Sequence, residues 1–70
     1  MKTRKTNCTK AILYDILVKE TEIWGSLDVD ALLGELRTQY KVNSKKYQTY
    51  LGELALEGKI EVEDNVITVL

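Results

Sequence analysis

The residues of this chain best suited to chemistry are its cations. Lys41, Lys45 and Lys46 fall in a ten-residue stretch without an acid, and Lys2, Arg4, Lys5 and Lys10 stand in an opening ten residues that also lack one. Ser44, Gln48 and Thr49 lie among the first group and add neutral donors and acceptors. Such clusters can meet a polyanion, the plain alternative being a solvated arm followed by an ordinary helix start. Catalysis finds little support. Cys8 is the only cysteine and there is no histidine, so a thiol nucleophile has no imidazole base and zinc has no ligand set. Glu61, Glu63 and Asp64 are closely spaced, but on an exposed hairpin they read as a solvated face without the burial that acid–base work needs. No glycine-rich phosphate loop occurs. The expectation is a binding module with no cofactor, not an enzyme.

Length and charge set the frame for those residues. Seventy residues with a net charge of −1 allow one small core. A domain of this size buries only about 60% of its unfolded surface, so it must pack efficiently or oligomerise. No run approaches the roughly 18 apolar residues of a membrane span, and no signal-peptide pattern opens the chain. A soluble cytoplasmic protein is expected. The small net charge hides an alternation: residues 1–10 carry +4, residues 11–40 carry −4, residues 41–59 carry +2 and residues 60–70 carry −3. A net charge so close to zero argues against a mimic of DNA.

Hydrophobic spacing then supplies the elements. Ile12, Leu13, Ile16 and Leu17 form one helical stripe from Thr9 to Glu20, with Thr9 as N-cap and Cys8 placed to staple onto Leu13. That gives Cys8 a buried, structural role. Residues 21–27 alternate poorly and contain Gly25, which reads as a connection with a strand-like stretch around Ile23–Ser26. A second helix begins at Asp28, with Val29, Leu32, Leu33, Leu36 and Tyr40 on one face and Leu27 stapling onto Leu32. Lys41–Asn43 make a turn, and a third helix starts at Asn43 or Ser44 with Tyr47, Tyr50, Leu51, Leu54 and Ala55 facing inward. Gly58 ends it. The tail is a hairpin: a turn at Asp64-Asn65 pairs Glu63 with Val66, Val62 with Ile67, Glu61 with Thr68 and Ile60 with Val69. Ile60, Val62, Ile67 and Val69 then share one face. The expected core is Ile12, Leu13, Ile16, Leu17, Leu32, Leu33, Leu36, Tyr47, Leu51, Leu54, Ile60, Val62, Ile67 and Val69. Trp24 either caps this core beside the hairpin or anchors a dimer interface. Gly34 and Gly52, inside helices, mark either a close approach or tolerance at exposed positions.

The order is helix, connection, helix, tight turn, helix, hairpin, and Leu51, Leu54, Gly58 and Ile60 follow at spacings of +3, +7 and +9. In this the chain resembles the winged helix-turn-helix family of DNA-binding domains over residues 9–70, with residues 1–8 as a basic N-terminal arm. The stretch Val42–Leu51 looks like that family's turn and recognition helix, with Val42, Tyr47 and Leu51 at core positions. The resemblance implies an α+β, mainly helical fold of three helices and a C-terminal two-stranded β-hairpin wing. It also implies duplex DNA as partner, with Ser44, Lys45, Lys46, Gln48 and Thr49 entering the major groove. Lys41 adds a further contact. Arg4 and Lys5 belong either to an arm on the minor groove or phosphates, or to a solubilising tail. Tyr50 either directs its hydroxyl to the DNA backbone or packs on the second helix.

Two features depart from the family pattern. The wing tip is acidic, which phosphate would repel, so the wing is expected mainly to close the core. The third helix also lacks arginine, the commonest specific contact to guanine. One helix with few base contacts needs a second half-site, hence the expectation of a homodimer acting as a transcriptional regulator. An alternative from another class is a protein-interaction module that binds a basic partner through the acidic second helix (Asp28, Asp30, Glu35) and the wing.

Overall fold

In the computed structural model, which describes residues 5–70, three helices each start on a polar side chain. Thr9 Oγ1 accepts a hydrogen bond from the Ile12 amide at 3.2 Å and opens α1, Lys10–Trp24. Asp28 Oδ1 accepts from the Ala31 amide at 3.0 Å and opens α2, Val29–Gln39. Asn43 Oδ1 accepts from the Lys46 amide at 2.8 Å and opens α3, Ser44–Leu56. Each cap satisfies a donor that has no partner within its helix, which contributes about 1 kcal/mol. Cys8 and Leu13, a residue before the cap and one four positions inside, are both buried in the core, as a staple requires.

Helix α1 outlasts its expected end at Glu20. The Thr21 hydroxyl donates back to the Leu17 carbonyl at 2.7 Å and lies 3.2 Å from that of Val18, so the side chain stays inside the helical frame. Nothing interrupts the backbone until Gly25, whose φ of +85° ends the helix while its amide reaches the Thr21 carbonyl at 2.8 Å. The strand-like stretch expected around Ile23–Ser26 is not found there: Ile23 and Trp24 are helical, and the strand follows Ser26, at Leu27–Asp28. At the end of α3 Gly58, φ +77°, closes a Schellman pair in which the Gly58 amide bonds the Ala55 carbonyl and the Lys59 amide bonds that of Leu54.

The elements run β1 (Thr6–Asn7), α1, β2 (Leu27–Asp28), α2, β3 (Tyr40–Lys41), α3, β4 (Ile60–Glu63) and β5 (Val66–Val69). This is a small, mainly helical α+β fold with a short antiparallel sheet. The hairpin has the expected register, with Ile60 opposite Val69 and Val62 opposite Ile67. Asp64 and Asn65 take φ of 51° and 65°, both positive as a two-residue turn of this hand demands. The sheet has three strands rather than the two expected. The order is β2-β5-β4, because Leu27 pairs with Ile67 and Asp28 with Val66. A second, parallel pair joins β1 to β3, so residues 6–8, counted with the arm in the sequence reading, are held in the fold.

Leu13, Leu17, Leu32, Leu36, Tyr47, Leu51, Leu54, Ile60 and Ile67 are buried, joined by Cys8. Each large aliphatic side chain so placed is worth roughly 1.5–3 kcal/mol. Ile12, Ile16, Leu33 and Val69 are half-buried around them. Val62 is a correction: it shares the core face of the hairpin but stays 40% exposed, because it lies toward the turn and borders an open groove on α3. Ala55, expected to face inward, is exposed beside it. Trp24 does not cap the core either, at 71% exposure. Open space surrounds Gly34 and Gly52, so neither marks a close approach between α2 and α3.

Candidate nucleic-acid interface

Two buried side chains set the rotation of α3. Tyr47 and Leu51 face the core, and the Tyr47 hydroxyl donates to the Val29 carbonyl at 2.8 Å, tying α3 to the start of α2. Burial, helped by the Asp30 and Asp28 carboxylates, pushes the Tyr47 phenol well above its ordinary range and keeps it a donor. With those two positions inward, Ser44, Lys45, Lys46, Gln48 and Thr49 are all exposed, as is Lys41 just before the helix. Lys45 and Thr49, four residues apart, share the outermost row. The Thr49 hydroxyl donates to the Lys45 carbonyl at 2.9 Å, which leaves its lone pairs rather than its proton for a ligand. Gln48 flanks the groove toward the hairpin, where Val29, Leu51, Gly52 and Val62 also line the wall. Lys46 lies on the opposite flank.

That second flank is a concave surface of about 580 Å³ whose lining includes Asn7, Thr9, Lys41, Asn43, Lys46 and Tyr50. The β1–β3 pair builds it. Thr6 pairs with Tyr40, Asn7 with Lys41, and the Cys8 amide bonds the Lys41 carbonyl at 3.3 Å. Lys5 reaches the Arg37 carbonyl at 2.7 Å, placing a cation at the negative end of α2. Two acid-free stretches, 5–14 and 36–52, thereby meet beside the starts of α1 and α3. Tyr50 faces this hollow, whose other lining residues come from β1, the start of α1, β3, the β3–α3 turn and Lys46 of α3, with none from α2. Nothing in the spacing of the sequence signals the hollow, because a two-residue strand is too short to show periodicity. Arg4 lies outside the described residues.

Ion pairing divides α3 into two halves. Lys10 of α1 pairs with Glu53 at 3.2 Å and Glu57 at 2.6 Å, and Lys59 pairs with Glu57 at 3.3 Å. Hydrogen bonds from Lys10 and then Lys59 hold the Glu57 carboxyl below its usual range, while Glu57 and Glu53 raise Lys10. Lys59 also sits 5.3 Å from the centre of the Tyr14 ring. Lys41, Lys45 and Lys46 form no ion pair among the described residues. The acids of the far half are thus committed, and the cations of the near half are not.

The hairpin tip folds back onto α2. The Val29 amide bonds the Asn65 carbonyl at 2.9 Å, and Asn65 Nδ2 lies 3.4 Å from Asp28 Oδ1 and 3.3 Å from Asp30 Oδ2. Glu61, Glu63 and Asp64 line the outer side of the hairpin with Val66 and Thr68. Ile60 and Ile67 fill the core, so the hairpin closes the fold. Cys8 is buried and burial pushes its thiol up, which makes it a poor nucleophile at neutral pH. Among the described residues no group of three His, Cys, Asp or Glu side chains could hold a metal ion, and no helix is long and apolar enough to cross a membrane. Comparison with known proteins finds no matching family model, curated protein or solved structure.

Proposed function

We propose that this fold is a winged helix-turn-helix and that it binds duplex DNA by placing α3 in the major groove. The observation that carries the reading is the meeting of two acid-free stretches at the start of α3. There Lys41, Lys45 and Lys46 stand exposed without acid partners among the described residues. In this reading Lys45, Gln48 and Thr49 face base edges, while Lys41, Lys46 and Ser44 hold phosphates. The amides at the start of α3 add favourable dipoles for phosphate. The acidic hairpin stays off the backbone, so the protein reads DNA mainly through one helix. Two copies on half-sites about 34–36 Å apart would supply the specificity that one helix lacks, which suits a homodimeric transcriptional regulator.

The test is anisotropy of a labelled duplex at roughly 50 and 200 mM salt. Affinity should fall with a log–log slope near −0.9 for each phosphate neutralised. Lys45→Ala with Lys46→Ala should weaken binding and flatten that slope while the folded state keeps its stability. Normal binding by the double variant would remove α3 from the interface.

A further inference from the structure

A second surface lies along the seam between α1 and α2, and among the described residues no part of α3 lines it. Ile23 and Trp24, adjacent at the end of α1, are 69% and 71% exposed. Large apolar side chains in water gain meaning as a contact surface when they border an apolar depression. Each stands at a depression. The first, of about 260 Å³, sets Ile23 among Ile16, Leu36 and Tyr40. The second, of about 200 Å³, sets Trp24 among Leu27 and Ala31. Glu20, Leu32 and Glu35 line both, so the two hollows form one trough along the helix pair.

The charge around the trough selects its occupant. Glu20, Glu35 and Asp28 line it, and Glu22 neighbours Ile23 in the chain. The cation in the lining is Lys19, already bound to Asp15 at 3.0 Å. A second copy laid on this face would bring like charges together, and a nucleic acid would be repelled. An occupant carrying Lys or Arg beside apolar anchors meets both features. A trough lined by residues of two helices suits a helical ligand whose anchors recur at i, i+3, i+4 and i+7. We propose that the α1–α2 seam docks a basic amphipathic helix of a partner protein. The seam works independently of α3, so the chain can hold DNA and this partner together.

Trp24 is the only tryptophan, so its emission reports on this face directly. The probes are tryptophan-free peptides about five helical turns long: one with a leucine stripe flanked by lysines, one with glutamates for the lysines, and one with serines for the leucines. The first should give a saturable blue shift, and the other two should bind at least roughly tenfold more weakly. Glu20→Lys with Glu35→Lys should cost a similar factor, with the fold checked by circular dichroism. Ile23→Ser is a second exposed variant that should weaken binding without touching charge. Lys45→Ala with Lys46→Ala should leave the peptide response intact, which separates this face from the DNA reading. No shift with the lysine peptide, or equal binding of all three, would overturn the proposal. So would a blue shift that grows with protein concentration alone, since a second copy would then cover the seam.

Discussion

The two halves of α3 use charge in opposite ways. Glu53 and Glu57 are fastened to Lys10 and Lys59, so charge there joins the third helix to the first. Lys45 and Lys46, two turns earlier, are exposed and have no acid partner among the described residues, and their charge contributes nothing visible to the fold. Surface pairs add little stability even when well formed, so the contrast is about commitment more than energy. A cation already matched by a carboxylate must give up that partner to meet a phosphate. An unmatched one gives up only water and counterions.

Breaking the joint that both halves depend on should have the largest effect. Tyr47→Ala removes a buried ring and should cost about 3–5 kcal/mol, measured by denaturant unfolding. Tyr47→Phe keeps the ring but removes the hydrogen bond to the Val29 carbonyl, which still has its place in the α2 ladder, for about 0.5–1.5 kcal/mol. It should also change the alkaline limit. The Tyr47 phenol is raised in the folded state, so its contribution is complete below the ordinary tyrosine pKa of about 10 and is lost as pH climbs beyond it. The phenylalanine variant should lack that part of the alkaline loss.

Next in size is Asn43→Ala. Loss of the cap should cost about 1 kcal/mol of stability and weaken DNA binding only modestly, because it frays the start of α3 without removing a cation. The double lysine variant tests the near half alone. Each lost phosphate contact should reduce the salt slope by about one, with stability held within about 0.5 kcal/mol. Equal losses of stability and binding would erase the contrast between the halves.

The smallest effect belongs to the far half. Lys10→Ala should lower the melting temperature slightly and leave DNA affinity nearly unchanged. Its signature is in acid. The Glu57 carboxyl is held low when folded, so its contribution is present above the ordinary glutamate pKa and disappears as pH falls through the depressed value. Lys10→Ala should flatten that acid loss, read from melting temperature against pH.

Legibility in the sequence followed the number of residues that had to agree. The hairpin register was readable because four apolar residues must share a face and Asp64-Asn65 accept the turn, and Thr9, Asp28 and Asn43 announced their helices. The β1–β3 and β2–β5 pairings were not, since two residues carry no period and their partners lie about 34 to 40 positions away. The exposed row of α3 followed from its buried stripe, whereas the hollow beside Lys46 depends on β1 and had no local sign. Trp24 went astray for a related reason. Helix α1 carries one turn more than its apolar stripe requires, and that turn projects Ile23 and Trp24 beyond the core.

The buried thiol has a kinetic consequence. Cys8 directly follows β1 and is only 5% exposed where that strand meets the rest of the chain. A thiol reagent gains full access when the segment lifts, so the labelling rate is a stopwatch for that opening. With one sulfur in the chain capable of reacting in this way, the clock has a single hand.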